Sequence, residues 1–94
     1  MKISVGKPLP DDTFINVHFG RRAGFHLEDV EAEKLKGQLA AYLAGEVHGG
    51  PEDGVSVIDG TYSEDHLQIV VGDVWFEITI EEASDLAAKL DEFV

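Results

Sequence analysis

The chain has 94 residues, enough for one hydrophobic core and too few for two of ordinary size. It contains no cysteine, which excludes disulfides, thiolate catalysis and cysteine-ligated metal centres, and no apolar run approaches the roughly 20 residues that cross a bilayer. Seven basic residues stand against nineteen acidic ones, and the resulting net charge of −12 disfavours direct contact with nucleic acid or an anionic membrane. The opening "MKISVGKPLP" has no continuous apolar stretch of the kind a secretory signal carries, so a cytoplasmic location is the expectation.

In chain order, "ISV" precedes a proline-broken segment, "GKPLPDD" at 6–12. "TFINVHFG" then alternates Ile15, Val17 and Phe19 with Asn16 and His18, the period of a half-buried strand. After "GRRAG", Phe25 and Leu27 alternate with His26 and Glu28. Pairing Phe19 with Phe25 and Val17 with Leu27 keeps the apolar residues on one face, which predicts a β-hairpin. A helix is expected over about 29–44, with Ala32, Leu35, Leu39, Tyr42 and Leu43 as its apolar stripe. Glu28 or Asp29 can cap its start, and Gly45 stands at the C-terminal cap position.

"HGGPEDG" at 48–54 marks a join, and the plan then repeats. Leu67, Ile69 and Val71 alternate with Gln68 and Val70, and Gly72-Asp73 suits a two-residue hairpin turn. Val74, Phe76, Ile78 and Ile80 return on one face, with Trp75, Glu77 and Thr79 on the other. Thr79 and Glu82 form a capping-box pattern ahead of a helix striped by Ala83, Leu86, Leu90, Phe93 and Val94. At an offset of 51, Phe25/Phe76, Glu31/Glu82, Ala32/Ala83, Leu35/Leu86 and Leu39/Leu90 are identical; at 52, Ser4/Ser56, Val5/Val57 and Gly20/Gly72 are. The agreement runs through three strands and a helix in one order, which points to duplication. The expected fold class is α+β: one domain over 1–94, of two β-β-β-α repeats (about 2–46 and 54–94, joined by 47–53). About six mostly antiparallel strands would carry two helices on one face, each repeat supplying burial the other lacks.

The two halves differ sharply in charge. Residues 1–47 hold seven acids and six bases, whereas 48–94 hold twelve acids and a single base, Lys89. The second half is therefore expected to attract a basic protein surface. Trp75 and Val70 pair on the outer face of the second hairpin beside Glu77, as an apolar anchor within a polar rim would. With Glu81, Glu82, Asp85, Asp91 and Glu92 they form the expected partner-binding set. The leading functional expectation is a small, non-enzymatic, acidic protein that docks on a basic partner and inhibits it by occupying a nucleic-acid-binding site. The alternative is a structural subunit that self-associates as a homodimer, with Arg21 and Arg22 at the first hairpin tip meeting the acidic half of a second copy.

Catalytic signatures are missing from the sequence. There is no G-x-S-x-G elbow, and the glycine-rich join has no Lys-Ser/Thr after it to complete a phosphate cradle. A third reading, a metal protein or enzyme, rests on His18 and His26, placed by the predicted register opposite each other with Glu28 one step on. Nothing in the sequence supplies a fourth ligand, so solvent-facing histidines are the simpler expectation, and no metal or cofactor is assigned.

Overall fold

A computed structural model describes residues 3–7, 14–19, 23–46 and 54–94. The elements run β1 (Ile3–Gly6), β2 (Phe14–Phe19), β3 (Ala23–Glu28), α1 (Asp29–Leu43), β4 (Val55–Asp59), β5 (His66–Val71), β6 (Val74–Thr79) and α2 (Ile80–Leu90). This is the α+β fold expected, β-β-β-α twice. The strands form two antiparallel three-stranded sheets, β1-β2-β3 and β4-β5-β6, with no strand pairing between them among the described residues. The join at 47–53 and the Arg21–Arg22 pair lie outside the described residues.

The repeats match rung for rung. Ser4 faces His18 and His18 faces Gly24 in the first sheet; Ser56 faces Val70 and Val70 faces Trp75 at the same rungs of the second. The inner faces place Ile15, Val17, Phe25 and Leu27 against Ala32, Leu35 and Leu39 of α1, and Leu67, Ile69 and Ile78 against Ala83, Leu86 and Leu90 of α2, in one continuous core. Three rings seal the halves together: the Phe25 centroid lies 4.8 Å from that of Phe76, and Phe19 lies 5.1 Å from Phe76 and 5.8 Å from Phe25. Packed aromatic groups of this kind add about 0.5–1.5 kcal/mol per pair beyond their buried area.

The first hairpin departs from its predicted register. Val17 pairs with Phe25 and Ile15 with Leu27, two residues away from the expected Phe19–Phe25 pairing, and the ladder closes at Phe19–Ala23. A two-residue slip leaves every side chain on the same face, so alternation alone cannot exclude it. One consequence is that His18 and His26 are not opposite each other: His18 faces Gly24, and His26 faces Asn16. The second hairpin needs no correction. Val71 pairs with Val74 across Gly72-Asp73, and Gly72 takes φ 57°, the left-handed conformation that this two-residue turn requires.

Both helices begin with reciprocal caps. Glu28 N donates to Glu31 Oε1 at 2.9 Å; at the equivalent place Thr79 N donates to Glu82 Oε1 at 3.0 Å while Glu82 N donates to Thr79 Oγ1 at 3.1 Å. Each helix also reaches across to the other repeat. Gln38 of α1 is buried against the outer edge of β4, where its Nε2 donates to the Val55 carbonyl (2.7 Å) and its Oε1 accepts from Val57 N (2.9 Å). Lys89, the counterpart of Gln38 at an offset of 51, donates to the Ile3 carbonyl of β1 at 2.6 Å, where Ile3 corresponds to Val55. Two strand edges that would otherwise bury unpaired peptide groups are thus closed by helix side chains rather than by another strand.

Gly37, beside Gln38, is the weak point of α1. It is exposed, a methyl group there would meet nothing within 4 Å, and the equivalent position of α2 is Ala88. Gly37→Ala is expected to raise unfolding free energy by about 1 kcal/mol. An unchanged urea midpoint would show that propensity does not limit this helix.

Candidate functional site

The outer faces of the two sheets share one framework and differ in what they present. The first sheet shows Ser4, Gly6, Asn16, His18, Gly24 and His26; the matching rungs of the second are Ser56, Ile58, Gln68, Val70, Trp75 and Glu77. In the first, the His18 ring lies across Gly24, filling the space that a Cβ there would occupy. In the second, Trp75 stands at that rung with 61% of its surface exposed, and Ile58 is 42% exposed. Tyr62, 80% exposed in the loop after β4, sets its ring edge-on to His66, with centroids 6.1 Å apart. Two glycines and a histidine in one repeat therefore correspond to isoleucine, tryptophan and valine in the other.

Glu77 holds that loop in place. Its Oε1 accepts from Thr61 N and Thr61 Oγ1, both at 2.9 Å, and from Gln68 Nε2 at 3.1 Å, while its Oε2 accepts from Tyr62 N at 2.8 Å. Desolvation by the surrounding chain pushes its pKa up, but these donors together outweigh it and hold the carboxyl at about 2, below its ordinary 4.5. It therefore keeps its charge, and it holds the backbone of Thr61 and Tyr62 against β6. The sign of the linkage follows: a folded-state pKa below the unfolded value contributes stability that is complete above about pH 4.5 and lost as pH falls toward about 2. Glu77→Gln is expected to flatten the dependence of the urea midpoint on pH across that window. An unaltered slope would place the acid sensitivity elsewhere.

The remaining residues expected to bind a partner fall into two groups. Val70, Trp75 and Glu77 share the outer face of the second sheet. Glu81, Glu82, Asp85, Asp91 and Glu92 belong to α2 and the turn after it, and α2 packs by Ala83, Leu86 and Leu90 onto the core. Several of these acids also have partners within the chain. Glu82 caps α2, Asp85 Oδ2 accepts from Lys89 at 2.9 Å, and Asp91 pairs with Lys36 of α1 at 2.6 Å, which lowers its pKa by hydrogen bonding and by charge. Glu81 and Glu92 are exposed. Nearest Trp75 along the chain are Asp73 in the hairpin turn and Glu77, two residues further along β6. Ile58 and Tyr62 were not signalled by sequence. Only the framework comparison of the two repeats, at Gly6/Ile58, could have flagged the first.

A second feature is an open cavity of about 400 Å³ lined by Tyr42, Asp59, Gly60, Thr61, Ser63, Glu64 and His66. Tyr42 Oη donates to Asp59 Oδ1 at 2.6 Å; that bond, partial burial and the carboxylate charge raise the phenol to about 12. At the rim, Ser63 hydrogen-bonds Asp65, and Ser63 Oγ lies 2.6 Å from His66 Nδ1, which Asp65 Oδ1 also approaches at 3.2 Å. The Ser63 bond lowers the Asp65 pKa, with His66 adding to it. A hydrolytic triad places its imidazole between nucleophile and acid, one ring nitrogen toward each. Here both oxygens address the same nitrogen, so the cluster braces a turn, in which His66 N also donates to the Ser63 carbonyl at 3.2 Å.

His18 and His26 stand on the first outer face two rungs apart along neighbouring strands, and among the described residues no three His, Asp or Glu side chains converge as metal ligands would. No helix among the described residues is long and apolar enough to cross a membrane. Compared with protein-family models, with curated proteins and with solved structures, the chain matches none.

Proposed function

We propose that the chain is a non-enzymatic binding domain that docks on a basic protein surface through the outer face of β4-β5-β6. The observation that carries this reading is the contrast between twin faces: on one framework, the second repeat exposes Ile58 and Trp75, with half-buried Val70 between them, where the first has Gly6, Gly24 and His18. An exposed tryptophan held on a regular strand offers contact area at little entropic cost. The acids at the rim, with a single basic residue in 54–94, favour a cationic partner and oppose a second copy. The sharper form of the proposal is an inhibitor that covers a partner's nucleic-acid-binding site, its carboxylates meeting cations that otherwise neutralise phosphates.

The test titrates basic DNA-binding domains of known structure into the protein and follows emission from Trp75, the sole tryptophan. Saturable binding that weakens with salt, and that duplex DNA competes away, supports the inhibitor. Binding that DNA leaves untouched supports docking on a basic surface outside the nucleic-acid site. No emission change with any cationic domain overturns the reading.

A further inference from the structure

β6 is an edge strand of the second sheet, hydrogen-bonded on one side to β5. A two-residue turn makes Val71–Val74 a hydrogen-bonded pair, so Ile69–Phe76 and Leu67–Ile78 are hydrogen-bonded pairs as well. The ladder continues in that phase: Ile80 N donates to the Asp65 carbonyl at 2.8 Å. The peptide groups of the alternate residues Trp75, Glu77 and Thr79 therefore point away from β5. Thr79 N is taken by Glu82, which leaves the N–H and C=O of Trp75 and Glu77 directed outward. The edges of β1 and β4 are closed by Lys89 and Gln38, whereas β6 pairs with β5 alone among the described residues.

We propose that this edge accepts an extended segment of the basic partner as a fourth strand, one in which arginine or lysine alternates with aliphatic residues. The inference rests on the docking surface proposed above and specifies how its partner is held. Added main chain would bond to Trp75 and Glu77, the mode by which peptides extend exposed sheets. Alternation of the pleat then sorts the side chains. On the outer face a guanidinium lies over the Trp75 ring, while Glu77, whose acceptor sites are taken by Thr61, Tyr62 and Gln68, attracts a second cation by its charge rather than by a direct bond. On the inner side an aliphatic residue covers Val74, which is 46% exposed, and extends the surface of the partly buried Phe76. Charge complementarity selects this occupant over a second copy: two such edges brought together would oppose Glu77 and Asp73 of chains each carrying −12. The corresponding edge of β3 presents Gly24 and His26, with no aromatic platform and no fixed anion.

The experiment uses the full chain and an eight-residue peptide of alternating arginine and valine, with two further versions N-methylated at every arginine or at every valine. Successive amides of a strand point to opposite edges, so strand addition predicts that one methylated peptide loses at least tenfold in affinity while the other binds as the parent does. It also predicts slowed hydrogen exchange at the Trp75 and Glu77 amides on binding. Equal effects of the two methylation patterns, or unchanged exchange at both amides, would overturn strand addition. If Trp75→Ala still weakens the peptide under those outcomes, docking on the face survives without the strand. Concentration-dependent dimerisation that buries the same two amides would assign the edge to a second copy and overturn the proposed occupant.

Discussion

Replacing Gln38 with alanine is expected to cost about 3 kcal/mol of unfolding free energy, because it strips partners from a buried carbonyl and a buried amide at once. Those groups are the Val55 C=O and the Val57 N–H at the closed edge of β4, which Gln38 serves from α1. Against the 5–15 kcal/mol that holds a typical domain together, the loss would be visible as a large fall in the urea midpoint. Two conservative variants divide the effect. Gln38→Lys reproduces the donor that Lys89 provides in the other half but offers no acceptor to Val57; Gln38→Glu keeps the acceptor and sets a carboxylate against the Val55 carbonyl. The lysine variant should fall between wild type and alanine, with exchange at the Val57 amide accelerated. The glutamate variant should keep that amide protected while costing at least as much as alanine, because a buried carboxylate then opposes the Val55 carbonyl. If Gln38→Ala costs less than about 0.5 kcal/mol, the edge is served by other means and the helix-to-edge closure is not what joins the repeats.

The second large effect concerns binding. Trp75→Ala should weaken a cationic partner by about 30-fold, near the 2 kcal/mol that separates a hot-spot residue from its surroundings. Unfolding should barely change, since most of the ring lies in solvent and its main chain is unaltered. His18→Ala, on the matching face of the first sheet, is the internal control and should leave affinity intact. Titration with a basic DNA-binding domain of both variants, alongside urea denaturation, separates a binding role from a structural one.

Tyr42 offers a smaller spectroscopic check on the same fold. Of the two tyrosines, Tyr42 should resist ionisation until about pH 12 while Asp59 accepts its proton, and Asp59→Asn should bring that transition down. Because the folded-state pKa is raised, the stability it contributes is present below pH 10 and fades as pH climbs through about 12. Absorbance titration near the tyrosinate band reads this directly, and a transition unmoved by Asp59→Asn would deny the bond.

Much of the architecture was legible in the amino-acid pattern, and the reasons are specific. Strand alternation, the Thr79–Glu82 box and the Gly72-Asp73 turn are local, each decided within a few residues, and each appears in the fold. The first hairpin was misregistered because "GRRAG" admits more than one loop length, and a slip by two changes no side chain's face. Gln38 reads in sequence as an ordinary solvent-facing helix residue; that it closes β4 depends on contacts 17 and 19 residues away. The acidic half was visible as a count, but its internal commitments were not. Asp91 meets Lys36 from the other repeat, and Glu77 is consumed by a loop sixteen residues upstream. The expected surface combined Trp75 with the acids of α2, whereas the fold sets them on the sheet and on the helix that packs beneath it. The proposed binding face depends on a contrast between matching rungs of the two repeats, which no single segment carries by itself.

The most direct measurement is a map of amide and side-chain chemical-shift changes in the labelled protein as a cationic DNA-binding domain is added. The proposed surface predicts perturbations concentrated at Ile58, Tyr62, Val70, Trp75 and Glu77, with the first sheet silent. Changes centred instead on Glu81, Asp85 and Glu92 of the α2 segment, or on His18 and His26, would contradict it.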